Sequence, residues 1–386
     1  MSNYHFEEKH ELFRSSLRAF LNKEVVPFVD EWEKNREVPK SVWKKFGDMG
    51  FLGLMYPEAY GGTDLDFFHT VVFAEELSHV WSGGVSTNFL VSQYMSSTYI
   101  LHHGSEELKQ KYLPKTAAGE YIAAVGITEP DAGSDVANIK TRAEKQGDHY
   151  IVNGSKTFIT NGYYADYIVA TVKTSPVEGY AGTSLLVIDF NSEGITRTKL
   201  DKLGLHASDT SEISFSNVKV PVSNLIGDEG NGFYYLMEGL QLERLVGAIG
   251  PVSSAERMLE YALNYMKERK AFGKSISKFQ VLRHRMAQLH SEIEVTKAFV
   301  YHCCRLQNDN QYAVKETSIA KLMATELSKK VADECLQFLG GYGYMEEYKL
   351  ARAFRDSRVG TIVAGTSDIM REIISKMYID EVSYKK

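Results

Sequence analysis

Apolar residues recur at steps of three or four in the last third of the chain, as they do on one face of an amphipathic helix. Two such stripes consist of Leu282, Met286, Leu289 and Ile293, and of Ile319, Leu322, Met323, Leu327 and Val331. Helix-breaking residues are rare here, since Pro251 is the only proline after Pro221 and Gly273 the only glycine between Gly250 and Gly340. The pattern predicts long helices, and we interpret residues 233–386 as a C-terminal four-helix-bundle domain.

The first 120 residues show the same period in shorter pieces. Phe13, Leu17, Phe20 and Leu21 form an apolar stripe that stops before Pro27. Helix-breaking proline and glycine residues recur through this part, and a further apolar helix is predicted over residues 67–80. We therefore predict an all-α N-terminal domain over residues 1–120.

The period changes between residues 121 and 232. The segments HYIVNGSKTFITNG and TSLLVIDF are rich in β-branched and aromatic residues and lie between turn sequences. They predict strands of about eight residues, joined into a small barrel or sandwich. The chain is thus expected to have an α+β fold, with helical domains at residues 1–120 and 233–386 around a β domain at 121–232.

Composition excludes several classes of function. The chain of 386 residues has 44 Lys and Arg against 50 Asp and Glu, a net charge of −6, which disfavours nucleic-acid binding. No apolar run approaches the ~20 residues that span a bilayer, and no signal-peptide pattern opens the chain. The cysteines, Cys303, Cys304 and Cys335, lack metal-site spacing. We expect a cytoplasmic protein with no membrane span and no metal.

Cofactor motifs are sparse. The chain has no dinucleotide-binding glycine fingerprint that follows a strand, no phosphate-binding Walker loop and no HExxH. The loop GITEPDAGSD in the β region offers small hydroxyls and backbone N–H groups at Thr128, Gly133 and Ser134, suited to a ring edge or a pyrophosphate. An ordinary surface turn would look similar, and KTFITNG alone is an ordinary strand and turn.

Glu243 is a sharper candidate. Gly239, Gly247 and Gly250 lie four before, four after and seven after it, so one face of its predicted helix is almost bare. Glycine costs a helix interior about 1 kcal/mol relative to alanine. A flat ligand or a close backbone against this face would explain the stripe, and tight helix packing with Glu243 paired or exposed is the alternative.

Five segments together resemble the flavin-dependent acyl-CoA dehydrogenase family over nearly the whole chain. They are GITEPDAGSD, NGSKTFITNG, RKAFGKSISKFQ, LGGYGYMEEY and AGTSDIMREI, in the family's order and spacing. The resemblance implies that FAD lies between the β domain and the C-terminal helices, that the enzyme is a homotetramer built as a dimer of dimers, and that an electron-transferring flavoprotein accepts the electrons.

The resemblance also assigns residues. It implies that Ile127 and Thr128 bind the pyrimidine edge of the flavin, that Phe158 covers the ring and that Thr160 approaches N5. Gly133 and Ser134 belong near a pyrophosphate, of the cofactor or the substrate. The adenine half, bound across a subunit contact, is assigned to Arg269, Phe272, Gln280, Gln337, Gly340, Gly341, Thr366 and Asp368.

The family pattern departs at Ala364, where many members carry the catalytic glutamate. Alanine cannot accept a proton. In the long-chain and isovaleryl branches the base lies instead on the bundle helix, at the position of Glu243. The resemblance assigns Arg244, Val363 and Gly365 to the substrate site, where Arg244 helps to orient the substrate-binding helix.

The resemblance therefore implies α,β-dehydrogenation of a fatty acyl-CoA to a trans-2-enoyl-CoA. Val363 would fill space that the isovaleryl branch leaves to a methyl group, so we expect medium-to-long straight chains to be preferred. A short branched-chain substrate, a carrier-protein thioester and a flavin oxidase or monooxygenase on the same fold are alternatives. A nucleic-acid-associated relative should show a basic C-terminal face, which the charge disfavours.

Overall fold

A computed structural model describes residues 5–177 and 179–384. The N-terminal part of the chain is helical, and its apolar stripe Leu17, Phe20 and Leu21 is buried in the core of this part, as predicted. A π-helical turn, Val91–Ser96, separates the fifth and sixth helices. The helices are α1 Glu8–Glu24, α2 Val29–Asn35, α3 Lys40–Asp48, α4 Phe67–Ser78, α5 Gly83–Leu90, α6 Ser97–His103 and α7 Glu106–Ala117.

The middle of the chain forms one eight-stranded sheet in the order β6-β7-β3-β2-β4-β5-β8, with β1 parallel to β4. The strands are β1 Ala123–Gly126, β2 Arg142–Gln146, β3 His149–Thr160, β4 Tyr167–Lys173, β5 Thr183–Asp189, β6 Ile195–Lys199, β7 Thr210–Pro221 and β8 Leu225–Ile226. β3 has 12 residues, longer than predicted, and its pairing with β7 shifts register twice. Such β-bulges let one strand continue through a bend.

The last part of the chain is helical again, with a small hairpin between its first two helices. The elements are α8 Gly232–Glu268, β9 Lys270–Ala271, β10 Lys274–Ser275, α9 Gln280–Asn308, α10 Val314–Leu339, α11 Lys349–Ser357 and α12 Ser367–Tyr378. The three long helices bury Leu289, Ile293, Leu327 and Val331 between them. The predicted order of helices, strands and helices is confirmed.

One detail of the predicted stripes is wrong. Met323 is 51% exposed, because the neighbouring inward positions of α10 are taken by the small residues Ala320 and Ala324 and by Lys321, which are buried instead. The residue limits of the three domains stay a prediction, although helices end at Ala117 and resume at Gly232. Within residues 5–177 and 179–384, no helix is both long and apolar enough to cross a membrane.

Candidate active site

Glu243 lies on α8 and is only 4% exposed. Its Oε1 accepts a hydrogen bond of 2.5 Å from the hydroxyl of Tyr99, a buried residue on α6. Burial raises the pKa of the Glu243 carboxyl from 4.5 to about 7, although the Tyr99 hydroxyl and the Arg244 guanidinium favour the ionised form. A carboxyl with this pKa gains and loses a proton readily near neutral pH, as a general base requires.

The glycine stripe around Glu243 has two different causes. A Cβ on Gly239 would lie 2.5 Å from the ring of Tyr99, so this glycine makes room for Tyr99 rather than for a ligand. A Cβ on Gly247 or Gly250 would meet no atom within 4 Å. These two glycines therefore leave a bare helix surface beside Glu243, next to space that a bound molecule can occupy.

The loop between α11 and α12 lies against the same helix. A Cβ on Gly365 would lie 3.8 Å from Nη2 of Arg244, and Lys321 donates a hydrogen bond of 2.6 Å to the Gly365 carbonyl oxygen. Ala364 has a left-handed backbone with φ of 53°. Among the described residues, the N–H groups of Ala364 and Gly365 have no hydrogen-bond acceptor, so they are available to a ligand's carbonyl oxygen.

Arg244 is buried, and its Nε has no acceptor among the described residues. Burial lowers the pKa of its guanidinium from 12.5, but an arginine remains charged at any ordinary pH. Burial and Arg244 also lower the pKa of Lys321 to about 8. The site thus places two cationic side chains, Arg244 and Lys321, around the Glu243 carboxyl. The unpaired N–H at Nε of Arg244 suits a ligand that carries a hydrogen-bond acceptor.

A buried ion pair fixes the loop GITEPDAGSD on the sheet. Lys156 Nζ, with no exposed surface, lies 2.7 Å from Oε1 of Glu129 and 3.2 Å from the carbonyl oxygen of Ile127. Glu129 also accepts from the backbone N–H groups of Lys140 and Thr141. The backbone at Ile127 is therefore held by a side chain from β3, which fixes the predicted flavin-edge residues Ile127 and Thr128.

Phe158 lies at the second bulge of β3, with φ of 60°. Its ring is 69% exposed, which is unusual for a phenylalanine on an inner strand. Bulges beside active sites re-aim side chains, and this one leaves an aromatic face open for a planar ligand. Two residues further along β3, regular pairing with β7 has resumed, and Thr160 lies opposite Thr210.

Four of the residues predicted to bind the adenine half line one surface pocket of about 440 Å³: Arg269, Gln337, Gly340 and Gly341. A Cβ on either glycine would meet no atom within 4 Å. The Arg269 guanidinium lies 5.9 Å from the ring centre of Tyr342, which also lines the pocket. Open backbone, an aromatic ring and a guanidinium fit an adenosine and its phosphates, so the residues present suit FAD.

The other predicted residues lie outside that pocket. Phe272 is 95% exposed at the turn between β9 and β10, and Gln280 is exposed at the start of α9. Thr366 caps α12, and Asp368 accepts a hydrogen bond from Arg371. The remaining predicted residues are exposed or half-exposed in their loops: Gly133, Ser134 and Val363.

Several residues of the site are ones that sequence reasoning missed: Tyr99, Glu129, Lys156 and Lys321. Lys156 could have been recognised from the sequence, because it occupies an inward-facing position of a strand with alternating polarity, where a buried charge needs a partner of opposite charge. The sequence gives no local indication of the role of Tyr99, since 144 residues separate it from Glu243.

A second polar cluster brings His10, Asp66 and His69 together in the N-terminal domain, with potential ligand atoms within 4.8 Å of one another. Lys9 already places its ammonium 2.6 Å from Asp66. His10 Nδ1 accepts a hydrogen bond from the Glu7 backbone N–H, which leaves the ring proton on Nε2, facing Asp66. The cluster is thus satisfied by its own hydrogen bonds without an ion.

Comparison with known proteins identifies the family. The chain matches the N-terminal domain of acyl-CoA dehydrogenase over residues 7–120, the middle domain over 124–218 and the C-terminal domain over 230–379. The chain therefore belongs to the acyl-CoA dehydrogenase family and is an oxidoreductase that acts on acyl-CoA. Members of this family are FAD-dependent, in agreement with the fit of the residues above.

Individual relatives span nearly the whole chain. The long-chain specific acyl-CoA dehydrogenase of Sus scrofa is 40% identical over 97% of this chain and 88% of its own. The isovaleryl-CoA dehydrogenase of Oryza sativa subsp. japonica is 36% identical over 97% and 92%. The crystal structure of acyl-CoA dehydrogenase from Geobacillus kaustophilus superimposes with a TM-score of 0.95, at 47% identity over 97% of this chain and 99% of that one.

Proposed function

We propose that the protein oxidises a straight-chain fatty acyl-CoA to the trans-2-enoyl-CoA, with Glu243 as the base that removes the α-proton. The observation that carries the proposal is a single buried carboxyl with a pKa of about 7 beside a bare helix face. Bound FAD would supply the acceptor for the hydride that leaves the β-carbon. The proton and the hydride leave adjacent carbons, the C=C bond forms between them, and the proton resides on Glu243.

The α-C–H of a thioester is too weak an acid for an ordinary carboxylate, so the developing enolate needs stabilisation. In this proposal the thioester oxygen accepts hydrogen bonds from the free backbone N–H groups of Ala364 and Gly365. Lys321 keeps that loop in place through the Gly365 carbonyl oxygen. Arg244 orients the α8 face toward the thioester, and its buried charge adds to the stabilisation of the enolate oxygen.

For the substrate we propose a medium-to-long straight acyl chain. Support comes from the similarity to a long-chain specific relative and from the identity of Val363, whose side chain would partly fill the space that a methyl branch of the substrate needs. Each CH₂ buried in an apolar tunnel adds about 0.8 kcal/mol, so preference should rise with chain length until the tunnel ends.

The test is a substrate series on the purified holoenzyme. We expect kcat/KM with a dye acceptor to be higher for octanoyl- or palmitoyl-CoA than for butyryl- or isovaleryl-CoA. An isovaleryl optimum would reject the straight-chain assignment and leave the reaction type intact. Octanoyl attached to a carrier protein, assayed beside octanoyl-CoA, separates the two thioester carriers.

We also propose that the enzyme works as a homotetramer and passes its electrons to an electron-transferring flavoprotein. Phe272 supports the first point, since its ring is 95% exposed at a hairpin turn and the family resemblance assigns it to the adenine site that is bound across a subunit contact. Sedimentation equilibrium of the holoenzyme tests the assembly, and a monomer at micromolar concentration would contradict it.

A further inference from the structure

Tyr99 is a buried tyrosine whose hydroxyl has one hydrogen-bond partner among the described residues, the Glu243 carboxyl at the centre of the site. Its ring is 2% exposed and packs against the bare backbone at Gly239, where no larger residue would fit. Its hydroxyl donates to Oε1 of Glu243 at 2.5 Å. Burial, together with that carboxylate, raises the pKa of the Tyr99 hydroxyl well above 10, so the tyrosine keeps its proton and stays a donor.

Within the described residues, Tyr99 is the single hydrogen-bond donor to the Glu243 carboxylate. The hydrogen bond fixes Oε1 and leaves Oε2 without a donor. Oε2 is thus the atom that remains able to accept a proton from a substrate. A carboxylate held by one of its oxygens also has one orientation, since rotation about its terminal bond would break the hydrogen bond.

The position of Tyr99 is itself held by hydrogen bonds in the π-helical turn that precedes α6. Ser96 and Ser97 each donate a side-chain hydrogen bond to the carbonyl oxygen five residues back, on Val91 and Ser92. Tyr56 donates in turn to Ser97. Wide turns of this kind are rare in helices and frequent at functional sites.

We propose that Tyr99 is a positioning residue for the reaction: its hydroxyl holds the Glu243 carboxylate by Oε1, aims Oε2 at the substrate's α-carbon and favours the ionised, proton-accepting form. This inference rests on the proposed role of Glu243 as the base.

Among the described residues, few titratable groups act on the pair of Tyr99 and Glu243. Arg244, on the same helix, favours ionised Glu243. Lys321 of α10 and the phenols of Tyr312 and Tyr384 interact with Arg244. A change in the proton affinity of Glu243 on removal of the Tyr99 hydroxyl would therefore report on that hydrogen bond itself.

The test is Tyr99→Phe, which keeps the ring against Gly239 and removes only the donor. A hydrogen bond to a charged group shifts the protonation equilibrium of that group by about one to two powers of ten in favour of the charged form. We expect the pH midpoint of flavin reduction by octanoyl-CoA, followed anaerobically by stopped flow, to rise by about one to two pH units. At pH 7 reduction should slow by about five- to fiftyfold and recover toward the wild-type rate above the new midpoint.

Tyr167→Phe is a matched control, because Tyr167 is equally buried and its hydroxyl pairs with Thr116 instead. It should keep the wild-type midpoint. FAD content and melting temperature show whether each variant folds, and the apparent Kd for octanoyl-CoA should change little in Tyr99→Phe.

An unshifted midpoint in Tyr99→Phe would overturn the inference, whether its rate is unchanged or falls equally at every pH. Glu243→Gln separates this failure from failure of the proposed function. If Glu243→Gln is inactive while Tyr99→Phe has the wild-type midpoint, Glu243 remains the base and only the role of Tyr99 is rejected. If Glu243→Gln still reduces its flavin rapidly, the base itself is wrongly assigned.

Discussion

Two of the buried glutamates, Glu129 under the loop of the β domain and Glu243 on α8, lie in very different surroundings. Glu129 has the Lys156 ammonium at 2.7 Å and two backbone N–H donors. Burial alone would raise the pKa of Glu129, but Lys156 and these donors outweigh it and lower the pKa. Glu243 has one neutral donor, and its pKa rises to about 7.

The difference separates a structural carboxylate from a reactive one. A buried charge with full hydrogen bonding has no reason to take a proton, whereas one with a single donor is close to balance between its two forms. Lys156 completes the contrast, because burial lowers its pKa to about 8 while Glu129 opposes the shift. The ion pair therefore remains charged at neutral pH and holds the loop rather than exchanging protons.

The largest expected effect is loss of catalysis in Glu243→Gln. Glutamine keeps the volume and can accept the Tyr99 hydrogen bond, but it cannot take the α-proton. We expect about a 10³-fold slower flavin reduction by octanoyl-CoA, with FAD content and fold retained. Stopped-flow absorbance under anaerobic conditions measures it, and reduction within tenfold of the wild-type rate would place the base elsewhere.

Lys156→Met tests the other glutamate. It leaves Glu129 buried without its cation, and breaking such a pair typically costs about 3–5 kcal/mol. We expect a loss of this order in the free energy of unfolding and weaker retention of FAD, because Ile127 and Thr128 lose their support.

Chemical denaturation and the absorbance ratio of flavin to protein measure both effects in Lys156→Met. The matched control is Lys140→Met, whose ammonium pairs with Asp131 at the exposed surface and should contribute little to stability, because solvent screens the pair. Equal losses in the two variants would remove the distinction between the buried pair and a surface pair.

The smallest expected effect is a pH dependence of stability. The folded-state pKa of Glu243 lies above the unfolded value of 4.5, so folding favours the protonated carboxyl and stability is lost as pH rises from 4.5 to about 7. The loss approaches about 3 kcal/mol. Glu243→Gln should therefore gain stability over the wild type at pH 8 relative to pH 5.

Denaturation of Glu243→Gln and wild type at both pH values checks this gain. A stability difference that does not change with pH would mean that Glu243 titrates at an ordinary pKa in the folded protein. That result would also weaken the contrast with Glu129.

Periodicity predicted the helices and their buried faces well where side chains are large, as at Leu17, Leu289 and Leu327. It was wrong at Met323, because α10 packs through small residues, and a simple apolar count cannot detect this choice. The 12 residues of β3 also exceeded the predicted length, since bulges are invisible in an alternation pattern.

The residues of the candidate site also divide into those that the sequence predicted and those that it could not. Glu243 could be found from the sequence because glycines at helical spacing leave a local signal. Its hydrogen bond to Tyr99 depends on how α6 crosses α8, which no local pattern encodes. The sequence predicted a ligand, a close backbone or tight helix packing against the glycine stripe as a whole, whereas the structure divides the stripe, because Gly239 accommodates the ring of Tyr99.

The π-helical turn Val91–Ser96 contains neither Tyr99 nor Glu243. Its length nevertheless determines whether their hydrogen bond can form. One extra residue in a helix turns everything after it by about 100°. Losing a single residue there would restore a regular helix and leave its backbone hydrogen bonding intact, yet Tyr99 would face away from α8. Single-residue deletions in this segment should therefore be more damaging to catalysis than substitutions that keep its length.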